Sequence, residues 1–406
     1  MISSSWRETL LFSDFRILSY ASLVHSFGNG MEHVVLGWLV FELTDSPFMV
    51  GLASALRMAP LFVLGIFSGL VADSNDRRSY MKVSTFAGGV TMIVLGILLI
   101  TGVANVWVVI GLITVCGVTF AFLLTLRQAY TYDIVGPENA LTGLSILQIS
   151  TLIGGVFGAL ISGVLIAEFG AGLQFVVIGL FYFGSVAFLL YVKDPGKSAP
   201  IAVSSDYNFS RNIRRYLDLL RAYPVLFALM VLASLTEIFG FSHMSLIPVF
   251  TKDVLGLGAM GLGVITAIRQ LGGVSGLMFL AAFGRINYKG YLMFGIMIFF
   301  GLSQVTMFSA TNIYFAALVI FIINACAMSV DVLFKTLMQL NVPNEYRGVA
   351  MGSWVFSIGT GPIGHVGIGA IAGQFGSARA FLFNGVILSS LGLITMVANP
   401  LLRKLK

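Results

Sequence analysis

The chain has 406 residues, 58% of them hydrophobic and only 10% charged, with a net charge of +6 and a mean hydropathy of +0.97. These values exclude a soluble globular domain and define an all-α membrane protein that crosses the bilayer many times. A transmembrane barrel is excluded as well, because its strands would show segments of about ten residues alternating apolar and polar, whereas the runs here are continuously apolar.

A helix needs about 20 apolar residues to cross the hydrocarbon layer. Runs of that kind predict twelve spans, at 17–42, 47–72, 79–101, 105–127, 140–167, 171–192, 224–251, 258–283, 290–309, 312–337, 348–373 and 379–400. The first run has no basic start followed by a small-residue cleavage site, so a removed signal peptide is not expected. Lys and Arg gather on one side of these spans, at Arg7, Arg16, Arg77, Arg78, Lys82, the 193–221 segment, Arg285, Lys289, Arg347, Arg403, Lys404 and Lys406. The opposite side receives Lys252 and Arg379. Positive residues mark the cytoplasmic face, which places both termini inside. Basic residues beside anionic headgroups account for the net charge, so membrane lipid and not nucleic acid is the expected partner. Cys116 and Cys326 fall in different spans and read as buried small side chains.

The first span holds "HSFGNGMEH" (25–33), with His25, Asn29, Glu32 and His33 at i, i+4, i+7 and i+8. That spacing puts the four on one stripe of a helix. Ionisable groups at membrane depth are costly and face a cavity or a partner. Glu32 and Arg57 lie at similar depth on the first two spans, so an ion pair between them is predicted.

The longest polar break, 193–223, ends in a basic amphipathic stretch expected to lie on the cytoplasmic membrane surface. It divides the chain into six-helix halves, 1–192 and 224–406. The halves resemble each other: "VGLASALRMAP" around Arg57 aligns with "LGVITAIRQLG" around Arg269, and at the same offset "HSFG" aligns with "EIFG" at 237–240. Later, Arg127 in "LRQAYTYDIVGPEN" falls opposite Lys335 in "FKTLMQLNVPNE". Glu237 and Arg269 are thus expected to repeat the Glu32–Arg57 pair.

Parallel six-helix repeats are the layout of major facilitator transporters, and the chain resembles that superfamily in its motifs. "GLVADSNDRR" (69–78) is similar to the superfamily's loop signature at Gly69, Asp73, Arg77 and Arg78, with Ser74 and Asp76 departing from it. "GGVFGALISG" (154–163) resembles the antiporter signature, with Gly154, Gly158 and Gly163 in place and Ala159 where proline is usual. "FELTDSPFMVGL" and "VPNEYRGVAMG" look like the branch of enterobactin-type siderophore exporters and macrolide-efflux proteins. The resemblance implies two pseudo-symmetric bundles that handle substrate by alternating access. It further implies a cytoplasmic latch in which Asp73 and Arg77 act, joined by Arg127 with Asp133. Asp331 and Lys335 are a further candidate for that gate, although at i, i+4 they read first as a local pair.

All four histidines, His25, His33, His243 and His365, fall in predicted spans. Two readings stay open. One is proton or organic-substrate contact, since imidazole titrates near neutrality. The other is a transition-metal cargo, with Glu32, Glu237 or Cys326 completing the ligands, although the spacings form no tight metal motif. Glu237 and His243 share a face only if the seventh span is distorted near Gly240 or Pro248. No Gly-rich phosphate loop and no nucleophile constellation is present, so neither ATP hydrolysis nor an enzyme is expected. The reading is a secondary transporter of the bacterial inner membrane, acting as a monomer without cofactor or resident metal. It exports a small amphiphilic molecule in exchange for protons, with a divalent-metal exporter and a non-transporting scaffold as alternatives.

Overall fold

The computed structural model describes the chain except for Met1, 73–75, 197–208, 283–287, 344–345 and Lys406. Regular structure among the described residues is entirely helical. A short helix, α1 (Ile2–Leu11), precedes α2 (Ser13–Thr44), α3 (Pro47–Ala72), α4 (Arg77–Ile100) and α5 (Val106–Tyr191). The linker's basic half forms α6 (Phe209–Ala222). The rest comprises α7 (Pro224–Phe239), α8 (Ile247–Asp253), α9 (Ala259–Ala282), α10 (Lys289–Thr306), α11 (Ile313–Leu340), α12 (Arg347–Ile358), α13 (Gly361–Phe375), α14 (Ser377–Ala398) and α15 (Pro400–Arg403).

Glycines and caps punctuate this nearly continuous apolarity. Within α5, Gly136 (φ 73°) and Gly170 (φ 79°) adopt left-handed backbone, a conformation glycine reaches without steric cost. They divide α5 into three limbs. Asn105 opens α5, its side chain accepting from the Trp107 and Val108 amides at 3.0 Å, and Asn312 opens α11 in the same way through Phe315. Length and apolarity single out nine membrane-crossing segments among the described residues, rather than the twelve predicted. α2 and α3 are not among the nine, and the segment Glu138–Tyr191 counts as one although Gly170 breaks it.

Asp76 caps α4, accepting from the Ser79 amide at 2.9 Å and the Ser79 hydroxyl at 2.7 Å. Partial burial works to raise its carboxyl pKa, but the two Ser79 hydrogen bonds, with Arg78 and Lys82 nearby, hold it below the ordinary value. The stabilisation is therefore present above the unfolded-state pKa and is lost as pH falls through the lower, folded one. Asp76→Ala is expected to cost about 1 kcal/mol. The cost should be visible as a lower melting temperature near neutral pH and shrink in acid.

Two regions depart from regular helix where the sequence reading drew single spans. The seventh is interrupted by a 3-10 stretch, Phe241–Leu246, beginning at Gly240, so the distortion considered near that glycine is present. The eleventh is interrupted between α12 and α13.

Contacts group the chain into two compact units. One comprises Met1–Asp45, Leu56–Ile201 and Leu257–Ala267, and the other Ser46–Ala55, Ala202–Gly256 and Ile268–Lys406. In the first, α2 runs against the second limb of α5. A Cβ on Gly158 would lie 2.5 Å from the Phe27 carbonyl, one on Gly30 would meet the Gly154 carbonyl, and one on Gly154 would meet Ser26. Small residues let helices approach this closely where apolar solvent gives them no other reason to associate. Gly163 approaches Gly263 in the same manner. A second cluster of the unit packs Phe15, Leu18, Leu126, Tyr130 and Leu147. In the other unit, Phe294, Phe300 and Phe381 are fully buried, and Gly301 of α10 meets Gly385 of α14.

Candidate functional site

Glu32 sits at the centre of the first unit's polar groups and is 2% exposed. Its Oε1 accepts from Arg57 Nε at 2.9 Å and lies 2.7 Å from Arg57 Nη2, so the predicted ion pair is formed. The other oxygen accepts from the Tyr182 hydroxyl. Arg57 lies over the Phe120 ring, 5.2 Å from its centroid, a face that attracts a guanidinium. His25 stacks on Tyr182 with centroids 4.4 Å apart and planes within 7°. One residue before Glu32, the Met31 carbonyl accepts from Ser162 and Gln174 at 3.3 Å, which fixes α2 against the second and third limbs of α5.

A narrow cavity opens onto this group, lined by His25, Asn29, Glu32, Ser84, Thr119 and Tyr182 among others. Three of the four stripe residues therefore share it. His33 does not, being exposed on the surface of the unit. At 100° per residue it lies about 100° around the helix from Glu32. Chemically, both Glu32 oxygens accept hydrogen bonds, one from Arg57 and the other from Tyr182, and protonation would weaken the hold of the guanidinium. Tyr182 is not among the residues singled out from the sequence; its phenol is one of several polar groups in the sixth span, with Gln174, Ser185 and Tyr191.

The second unit does not repeat the pair. Arg269 Nη1 meets the Asn324 side-chain oxygen at 3.5 Å, while Asn324 donates to the Arg269 carbonyl at 2.7 Å. Glu237 is 8% exposed and makes no ion pair or side-chain hydrogen bond among the described residues. The register explains the difference. The alignment that matches Arg57 with Arg269 matches Glu237 with His25, and Glu32 falls opposite Met244. Glu237 is therefore seven residues, or about 10 Å of helix, from the level its partner would require.

His243 donates from Nδ1 to the Gly240 carbonyl at 2.7 Å and stands edge-on to Phe300. His365 Nδ1 meets the Ser245 hydroxyl. Both lie around the 3-10 stretch, where Asn384 donates to Ser242 at 2.9 Å and Gln304 to the Gly240 carbonyl at 3.3 Å. The His243 and Gln304 bonds take up the Gly240 carbonyl, which regular helix would have used. Among the described residues no three His, Cys, Asp or Glu side chains gather as metal ligands, and Cys326 is buried elsewhere on α11. Asp331 and Lys335 meet through Trp354 rather than with each other: Asp331 accepts from its indole N–H at 2.8 Å, and the Lys335 ammonium lies 4.8 Å from its ring centroid.

Of the loop signature, Asp73 lies outside the described residues and Gly69 lies on α3. Arg77 pairs with Asp133 at 2.7 Å, and Arg78 donates to the carbonyls of Val192 and Lys193 at 2.9 and 3.1 Å. Asp14 accepts from the Asp194 amide at 2.7 Å, and Tyr130 donates to the Asp194 carbonyl. The two arginines thus tie the start of α4 to the first limb of α5 and to the chain leaving its third. Arg127 is not part of this cluster; it lies beside His25.

Polytopic apolar helices around a buried carboxylate–guanidinium–phenol group are the architecture of a membrane transporter. The family described as transmembrane secretion effector matches residues 4–404, and the chain belongs to it. Over 401 residues the chain is 23% identical to a staphyloferrin A transporter of Staphylococcus aureus (strain NCTC 8325 / PS 47), covering 95% of this chain and 96% of that one. It is 24% identical to macrolide efflux protein A of Streptococcus pyogenes, with 90% of each chain covered. Its fold is similar to that of a POT family transporter solved in complex with 5-aminolevulinic acid (TM-score 0.77, 12% identity, 96% of each chain). The branch of siderophore and macrolide exporters resembled by the sequence motifs is the one these relatives occupy.

Proposed function

We propose that the protein exports a small amphiphilic organic molecule across a bacterial inner membrane, driven by inward movement of protons. Residues 1–192 and 224–406 rock in alternating access, and both termini are cytoplasmic. The observation that carries this reading is Glu32, a buried carboxylate held by Arg57 and Tyr182 at the edge of a polar cavity. Protonation of Glu32 releases Arg57, and the changed charge inside the bundle shifts the balance between the inward- and outward-open states. Relatives named for staphyloferrin A and macrolides support an organic cargo. A metal cargo has no comparable support, since the described histidines make separate contacts.

The test is flux in proteoliposomes with an imposed pH gradient, using whichever macrolide or siderophore raises the melting temperature of the purified protein. The wild type is expected to show gradient-driven transport, and Glu32→Gln to lose it while still binding the cargo. Gradient-driven transport at the wild-type rate in Glu32→Gln would remove Glu32 from the coupling.

A further inference from the structure

Adjoining the Glu32 recess is a second, narrow one, lined by Ser22, His25, Thr85, Arg127 and Ser185 with an apolar floor including Met81 and Leu189. Its lining contains guanidinium, hydroxyl and imidazole groups and no Asp or Glu. Arg127 makes no ion pair or side-chain hydrogen bond among the described residues, its backbone carbonyl alone being used, by Thr131. The other arginines of the unit's interior are occupied. Arg57 holds Glu32, Arg77 holds Asp133, and Arg78 holds two carbonyls.

A partly buried cation without a counter-charge inside the unit carries a desolvation cost that an anionic ligand would offset. The planar fork of a guanidinium matches a carboxylate with two parallel hydrogen bonds. Ser22 and Thr85 present hydroxyls that rotate to donate to the same anion. Ser185 donates to the Ala21 carbonyl at 2.8 Å, and its oxygen stays available as an acceptor.

We infer that this cavity is a carboxylate-binding subsite, with Arg127 gripping an acidic group of the cargo and Ser22 and Thr85 completing the shell. The inference rests on the export reading above and narrows it: the cargo is an amphiphilic acid, its apolar part lying along Met81, Leu123 and Leu189. The two cavities share His25, Thr85 and Leu123. A bound carboxylate and the proton on Glu32 are therefore separated by little more than the His25–Tyr182 stack, so cargo charge and proton charge act on each other across it.

The experiment is binding of benzoate to the purified full-length protein at constant ionic strength, followed by calorimetry and thermal shift. Methyl benzoate and chloride serve as uncharged and inorganic controls. Benzoate is expected to bind, with affinity falling about tenfold or more in Arg127→Gln and less in Arg127→Lys. Methyl benzoate and chloride should produce no comparable shift. Without ligand, Arg127→Gln should melt at or above the wild-type temperature, because it removes an uncompensated charge.

Absence of benzoate binding, equal binding to Arg127→Gln, or an equal response to chloride would overturn the subsite. A marked loss of ligand-free stability in Arg127→Gln would do the same, by revealing a structural partner. The assay needs no pH gradient. Failure here with intact proton-driven flux removes the subsite alone, and intact benzoate binding without proton-driven flux removes the export mechanism alone.

Discussion

Arg57→Ala is expected to destabilise the protein by about 3–5 kcal/mol, the cost of leaving one member of a buried ion pair without its partner. Glu32 would be left 2% exposed with only the Tyr182 hydroxyl on its second oxygen. The double variant Glu32→Gln/Arg57→Gln should recover most of that loss, since two neutral amides of similar shape carry no unpaired charge. Stability is read from thermal unfolding in detergent, and proton-driven flux should be absent in both variants. This combination separates two roles. If the double variant is as unstable as Arg57→Ala, the pair does not act through charge. If it regains both stability and coupled flux, the pair is a registry device and not the coupling group.

Gly158→Leu is expected to prevent assembly of the first unit. A Cβ at this position would lie 2.5 Å from the Phe27 carbonyl and 3.0 Å from the Gly30 Cα. These neighbours are backbone atoms of α2, which cannot rotate aside as a side chain would. Overpacking a core costs about 1–3 kcal/mol where side chains can yield, and here the helices themselves must separate. Because α2 carries His25, Asn29 and Glu32, the displacement would also open the Glu32–Arg57 contact. Gly111 of α5 has nothing within 4 Å of its would-be Cβ, so Gly111→Ala should match or slightly exceed the wild type. Gel filtration and thermal unfolding of both variants decide the matter. A monodisperse Gly158→Leu protein with wild-type melting would mean that the close approach of α2 and α5 is not required.

The sequence by itself determined the membrane architecture, because hydrocarbon leaves a chain of this composition no alternative to helices that satisfy their own backbone. It also determined the Glu32–Arg57 pair, since charges are so rare at that depth that two at matching levels on consecutive spans have few other partners. The short α1 was not anticipated, because ten residues of mixed polarity ahead of the first apolar run carry no periodic signal strong enough to distinguish helix from coil.

Tertiary structure decided which polar groups meet. Tyr182 reaches Glu32 from a helix 150 positions away in sequence, and nothing in the order of residues records that. His33 belongs to the sequence stripe yet is exposed, because a stripe a hundred degrees wide exceeds the window through which α2 faces the cavity. Arg269 repeats Arg57 but Glu237 falls opposite His25 and not Glu32, so the register of the repeat sets Glu237 and Arg269 at different levels. Arg127 lies toward His25 instead of joining the Arg77–Asp133 pair. Hydropathy and charge place a residue along the membrane normal; its neighbours around that normal follow from helix rotation and close glycine packing, which are fixed only when the helices assemble.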